Sequence, residues 1–333
     1  MREEYELEVL EKYDIEVKST RRIRGAFFCD TKEGTMLLKE TKMSERRAPF
    51  LYRALSEIES RSNIKADIPV CTKEGGFCVM SREGNLYMLK KWYPGRECDV
   101  RQEQEAAWAF GTLADLHKEM EDLAVRVDLG ADMTGRNPVE EIRRYNRELK
   151  KVRSFIRSRP VKNDFEILFL ENFDKMYCAA DCVLKQMESS GCRQLFEESV
   201  SKGSVVHGDY NHHNLIMLRD GIAVTNFEHM HVDVQVKDFC YFLRKVMEKN
   251  QWKQKTGQKM VESYEQVRPL SQKEREFIAL NLAYPKKFKK IAGSYYQSNK
   301  AHLSEKNVEK LEMCIRQTEE KYEFLSRIFP LNL

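Results

Sequence analysis

Residues 207–214 read His207-Gly208-Asp209-Tyr210-Asn211-His212-His213-Asn214, a polar loop set between two short apolar runs, Ser204-Val205-Val206 and Leu215-Ile216-Met217-Leu218. Polar loops held by strands in an otherwise helical stretch are where sites are found. An Asp followed five residues later by an Asn is an arrangement that phosphoryl transfer uses. The carboxylate accepts a hydroxyl proton and the amide oxygen reaches Mg²⁺. Asp209 and Asn214 fit those two roles. After a turn at Arg219–Gly221, residues 222–227 supply a partner strand, so 204–228 reads as a catalytic-loop hairpin.

Upstream the pattern changes. From Ile15 to Lys91 short β-rich runs alternate with turns at 31–34 and 81–85, which predicts a small sheet of about five strands. One helix interrupts it, expected from Ser44 to Arg61, with Phe50, Leu51, Ala54, Leu55 and Ile58 on one face. Trp92-Tyr93-Pro94-Gly95 then breaks the pattern. Beyond it, 3.6-residue periodicity predicts helices at about 101–120, 138–158, 164–189, 237–250, 271–292 and 303–327. The expected division is a small α+β lobe over 1–93 and a mainly helical lobe over 94–333, with a hinge near 92–95.

Composition narrows the function classes. Of 333 residues, 41% are hydrophobic and 33% charged, with 15 Gly and 8 Pro, which excludes a disordered or collagen-like chain. The net charge of +4 comes from interleaved acids and bases, so nothing calls for nucleic acid. No apolar run is long enough for a membrane span, and the acidic start MREEYELEVLEKYD is unlike a signal peptide, so synthesis in the cytoplasm is expected. Nine cysteines without a C-x-x-C pair indicate neither a disulfide framework nor a zinc ribbon; Cys178 and Cys182, one helical turn apart, read as structural. His207, His212, His213, His229 and His231 fall within 25 residues, but no Cys or carboxylate stands at a recognised metal spacing beside them. Tyr284, Phe288, Tyr295, Tyr296 and Phe324 have helical spacing and read as core, and the run Lys286-Lys287-Phe288-Lys289-Lys290 reads as a solvated or docking face.

The loop 207–214 resembles the H-G-D-x-x-x-x-N signature of the aminoglycoside phosphotransferase and choline kinase group, relatives of protein kinases. More narrowly, LLKE..MSERRAPFLYRAL (37–55), KKWYPGRECDV (90–100), HGDYNHHN (207–214) and YPKKFKKIAGSYYQSNKA (284–301) resemble the CotS-type spore coat family, over about residues 15 to 325. The resemblance implies a bilobal protein-kinase-like α+β fold. It casts Asp209 as the base, Asn214 as a metal ligand, His207 as a residue that orients the loop, and Asp238 as its brace. Lys39 matches the lysine that grips nucleotide phosphates, with Glu57 rather than Glu45 as its helix partner, since six residues leave no room for the connection. The phosphate loop offers only Gly25, beside Arg21, Arg22 and Arg24. The second metal position is Asn226 where related kinases carry Asp, which costs a full negative charge; Glu228 or Asp233 are the candidates to replace it. The implied function is a spore coat component with a kinase-like body, mainly structural, whose ATP and Mg²⁺ binding is weak and whose partners are other coat proteins. The alternative is an active ATP-dependent phosphotransferase to a hydroxyl of a small molecule. His117 reads as a satisfied core residue.

Overall fold

The computed structural model describes residues 5–23, 25–130, 133–297 and 305–329. The chain opens with α1 (Tyr5–Leu10), then β1 (Val17–Ile23), β2 (Ala26–Thr31), β3 (Gly34–Glu40), α2 (Ala48–Arg61), β4 (Lys65–Ala66), β5 (Cys78–Met80) and β6 (Leu86–Lys91). Five of these strands form an antiparallel sheet in the order β1-β2-β3-β6-β5. Strand alternation gives the sheet two different faces. Met36, Leu38, Tyr87 and Leu89 pack under Val9 and Leu10 of α1. Leu37, Lys39, Met88 and Lys90 therefore point the other way, and Met88 packs in the core shared with the helical lobe. Helix α2 starts later than expected, at Ala48, because Pro49 in its first turn suits a helix start while residues 45–47 form a turn.

Past the 92–95 segment come β7 (Arg96–Glu97), α3 (Glu103–Glu119), α4 (Leu123–Arg126), α5 (Pro138–Ser158), α6 (Asp164–Ser189), α7 (Cys192–Lys202), β8 (Val205–Val206), β9 (Leu215–Met217), β10 (Ile222–Val224) and β11 (His231–Val232). Helices α8 (Val236–Lys249), α9 (Gln254–Glu265), α10 (Gln272–Ala283), α11 (Lys286–Gln297) and α12 (Glu305–Ile328) complete the fold. The hairpin β9–β10 is the hub. β4 adds to it in parallel on one side and β7 antiparallel on the other, so the small lobe and the segment after 92–95 are both stitched to the strands that carry the polar loop. The helix expected over 271–292 is two, split at Tyr284-Pro285, where proline cannot continue the ladder. No helix among the described residues is long and apolar enough to cross a membrane.

The aromatics of the late helices are core, except Tyr296, which is exposed on α11. Tyr284 is buried and donates to Asn146 Oδ1 at 2.9 Å, Phe288 stacks on Phe169 at 5.1 Å, and Phe324 packs against Trp252. The 286–290 run is not the solvated face expected. Phe288 is buried, Lys286 donates to Asn281, Lys287 pairs with Glu248 and Lys289 with Glu148, which leaves Lys290 as its exposed member. Arg24 and residues 298–301 lie outside the described residues.

Candidate active site

The polar loop is held from behind by a buried carboxylate. Asp238, at the start of α8, accepts the backbone N–H groups of His207 (2.6 Å) and Gly208 (3.0 Å). Burial raises its carboxyl, but the neighbouring His117 and these bonds outweigh that and hold it below the ordinary range. His117 Nδ1 lies 2.7 Å from the Tyr264 hydroxyl, and its Nε2 stops 3.6 Å from Asp238. Gly208 adopts φ +82°, and a Cβ there would collide with the His229 carbonyl oxygen, so only glycine fits.

The tautomer of His207 follows from its partners. Its Nδ1 accepts the N–H of Asp209 at 3.1 Å, so the proton sits on Nε2, which donates to the Thr225 carbonyl at 3.0 Å. Burial pushes its pKa down, and the ring stays neutral, tilted by 46° against Phe227 with centroids 4.4 Å apart. His207 thus ties the loop to the end of β10. It positions Asp209 and does not face the cleft, since it is fully buried.

Asp209 is a hub. Asn211 Nδ2 donates to its Oδ1 and Asn214 Nδ2 to its Oδ2, each at 2.9 Å, and the Tyr241 hydroxyl of α8 stands close enough that burial and this carboxylate raise its pKa. Because Asn214 spends its N–H groups on Asp209, its Oδ1 remains the uncommitted acceptor. Thr225 N–H and hydroxyl both reach the Asn214 carbonyl, at 2.9 and 3.2 Å, which brings the next residue, Asn226, beside Asn214. Asn226 sits in the left-handed region (φ 68°, ψ 49°), which Asn and Asp tolerate better than other side chains. Asn211 and Tyr241 were not anticipated from sequence; Asn211 lay inside the motif, whereas Tyr241 carries no local signal.

Above this loop the small lobe contributes a buried charge cluster that sequence reading missed. Lys90, its side chain only 3% exposed, donates to Glu228 Oε1 at 2.8 Å and Asp67 Oδ2 at 3.4 Å. Glu228 Oε2 accepts the Thr41 hydroxyl at 3.1 Å, and Asp67 Oδ2 also takes the Asn226 N–H at 2.9 Å. Burial disfavours the charge on both Lys90 and Glu228, but the opposite charges win: the Lys90 ammonium is held above its ordinary range and the Glu228 carboxyl below its own. Lys39 adds to the field that keeps Glu228 ionised, so the two lysines share one face of the sheet and one carboxylate. The signal was present as an Asp inside an apolar run, Ala66-Asp67-Ile68, and a lysine at an inward position of a core strand.

Three expectations are corrected here. Glu57 does not pair with Lys39: its carboxylate takes Arg126 Nη1 at 2.7 Å, with Arg61 at 3.8 Å, because α2 turns Leu51, Leu55 and Ile58 to the core and leaves Glu57 facing α4. Lys39 has no hydrogen-bonded or ion-pair partner among the described residues. Gly25, expected in a phosphate loop, stands where the β1–β2 ladder closes: Ile23 pairs with Ala26, and Gly25 carries a positive φ of 83°. Glu228, expected as a stand-in for the missing metal carboxylate, is committed to Lys90 and Thr41, and Asp233 to Lys237 (2.7 Å) and His231 (3.2 Å).

A phosphate-bridging Mg²⁺ is a hard cation that depends on anionic oxygen. Beside Asn214 and Asn226 stand the carboxylate of Asp209, which takes the side-chain N–H groups of Asn211 and Asn214, and those of Asp67 and Glu228, which share Lys90. Among the described residues no group of three or more His, Cys, Asp or Glu is placed to hold a metal ion. At 226 the donor is an amide and brings no charge. The histidines are likewise dispersed: His212 meets Lys249 at 2.7 Å, His213 meets Glu97 at 2.6 Å, and burial together with His213 and Lys249 drives His212 down to about 4.

Solved structures similar in fold are phosphotransferases. An aminoglycoside phosphotransferase from Alicyclobacillus acidocaldarius subsp. acidocaldarius DSM 446 superposes with a TM-score of 0.84 at 18% identity, over 97% of this chain and 94% of its own. A spectinomycin phosphotransferase solved with AMP gives 0.65 at 11% identity, over 95% and 96%. An amicoumacin kinase solved with AMP-PNP and Ca²⁺ gives 0.59 at 14%, over 100% and 96%. In sequence, spore coat protein S of Bacillus subtilis (strain 168) is 23% identical over 317 residues, spanning 94% of this chain and 89% of that protein. The family model described as spore coat putative kinase YutH matches residues 6–328, and the chain belongs to that family.

Proposed function

We propose that this protein is a component of the spore coat whose kinase-like body serves mainly in assembly with other coat proteins, and whose cleft binds nucleotide weakly, without efficient phosphotransfer. The observation that carries this reading is the Lys90–Glu228 ion pair. It commits Glu228 to a buried ammonium beside Asn226, where the side chain is a neutral amide and a phosphate-bridging cation needs anionic oxygen. Among the described residues Lys39 has no ion-pair partner to fix it toward phosphates, which points the same way. Nucleotide binding itself is supported by fold: solved neighbours hold AMP and AMP-PNP.

A second reading, an ATP-dependent phosphotransferase acting on a hydroxyl of a small molecule, is favoured by the intact loop in which Asn214 and Asn211 orient Asp209. Titration calorimetry of ATP with and without Mg²⁺ separates the two. On the first reading Mg²⁺ changes the affinity little, Asn226→Asp creates a Mg²⁺-dependent gain of tenfold or more, and a library of hydroxyl acceptors yields no ATP consumption. Mg²⁺-dependent turnover that Asp209→Asn abolishes, with ATP binding retained, overturns it.

A further inference from the structure

Helix α8 carries a second polar feature one turn beyond Tyr241. The Arg244 guanidinium lies over the Tyr241 ring, 5.6 Å from its centroid, and reaches on into a small cavity between α8, the Tyr284–Lys287 bend and α12. Four cations line that cavity, Arg244, Lys286, Lys287 and Lys321, against a single carboxylate, Glu248. Glu248 is fully engaged: Oε1 takes Arg244 at 2.8 Å and Oε2 takes Lys287 at 3.4 Å. Among the described residues the other two ammonium groups have only neutral acceptors, Lys286 the Asn281 side-chain oxygen at 2.8 Å and Lys321 the Ala283 carbonyl at 3.1 Å. The next carboxylate, Glu141, is held by Tyr145 and Lys237.

An ammonium has three N–H donors, so each of these lysines has donors to spare in a place where burial penalises unpaired charge. The cost is visible: burial pushes Lys321 down to about 8, and lowers Lys286 as well. The free space is about 30 Å³, the room of two or three water molecules, which suits the head of an oxyanion and not a whole sugar. We propose that this cavity is a binding site for the oxyanion head group, phosphoryl or carboxylate, of a small ligand whose remainder lies along α8 toward Asp209. The site needs neither nucleotide nor Mg²⁺, so it stands or falls apart from the preceding reading.

The test uses the full chain without nucleotide or Mg²⁺, titrated with inorganic phosphate and separately with malonate, against sodium chloride at matched ionic strength. Thermal unfolding and calorimetry are the readouts. A saturable rise in melting temperature with at least one of the two anions is expected, weakened tenfold or more in Lys321→Met and several-fold in Lys287→Met. A preference for phosphate marks a phosphoryl ligand, and equal or stronger binding of malonate marks a carboxylate. Should circular dichroism show that Lys321→Met does not fold, Lys287→Met, on the more open side of the cavity, decides. The proposal is overturned if neither anion exceeds chloride, if both cavity variants bind as the parent does, or if the effect is lost in Lys39→Met but kept in Lys321→Met.

Discussion

Replacing Lys90 by Met keeps the length of the side chain and removes the charge that three elements share. At an effective dielectric constant of 20, the contacts at 2.8 Å to Glu228 and 3.4 Å to Asp67 are each worth about 5–6 kcal/mol of gross attraction, most of it spent on desolvating the ions. What the variant exposes is the other side of that balance. Two buried carboxylates lose their cation, and Asp67 Oδ1 already lacks a hydrogen-bond partner. Breaking such a buried pair costs about 3–5 kcal/mol. The pH dependence has a definite sign. In the parent protein Glu228 is held below its ordinary range, so its contribution is complete above the unfolded-state value and is lost as pH falls through the folded one. Without Lys90, burial acts on Glu228 against only Thr41 and Lys39 and pushes its carboxyl up, so the folded state binds the extra proton and stability falls as pH rises. Urea unfolding followed by tryptophan fluorescence should therefore show a deficit near pH 7.5 that shrinks toward pH 5. Adding Glu228→Gln should recover a large part of it. A Lys90→Met protein within about 0.5 kcal/mol of the parent at pH 7.5 would refute the claim that this cluster clamps the lobes.

Other perturbations test the loop and its surroundings. Asp238→Asn removes the charge from two backbone bonds at 2.6 and 3.0 Å and should cost about 2–4 kcal/mol in chemical denaturation; because the parent carboxyl is held low, the difference between the two proteins should narrow only as pH falls through its folded value. Gly208→Ala forces a Cβ into the His229 carbonyl and a side chain into positive φ, and a loss of about 2 kcal/mol or more in the same denaturation assay is expected; a neutral result would mean that the loop relaxes freely. Glu57→Gln should leave ATP affinity unchanged in calorimetry and cost about 1 kcal/mol or less through its half-exposed pair with Arg126; a tenfold loss of nucleotide affinity would restore Glu57 to the site.

How much was legible in the sequence follows from which interactions are local. The small sheet, α5, α6 and the 204–228 hairpin rest on periodicity, caps and turns, and Asn137-Pro138 and the Asn163–Glu166 capping box mark their helix starts within a few residues. The loop's own geometry was also local, since Asp209, Asn211 and Asn214 meet within one turn. The charge pairing was not. Glu57 and Glu228 stand in equally plausible positions by spacing, and only the orientation of α2 and the meeting of β6 with the hairpin decide that Arg126 takes one and Lys90 the other. Lys90 lies 138 residues from Glu228, and no pattern along the chain connects them.

Asp209 is the residue on which the two functional readings divide, and the structure supplies a reason for its presence other than proton abstraction. A chain relieved of catalysis has no chemical need for a base, so persistence of Asp209 would argue for turnover if the carboxylate stood alone. It does not: Asn211 and Asn214 both donate to it, and through Asn214 and Thr225 it fixes the end of β10 on which Asn226 and Glu228 follow. An acceptor-only side chain with several lone pairs suits two amide donors converging within one loop; an amide in its place would turn one donor against another. The neighbouring positions discriminate better, because an amide at 226 brings no anionic charge to a phosphate-bridging cation and Glu228 is bound to Lys90, while the same pair joins the hairpin to β6 and to Asp67. Each of the three residues therefore has an architectural role that holds whether or not the loop turns over.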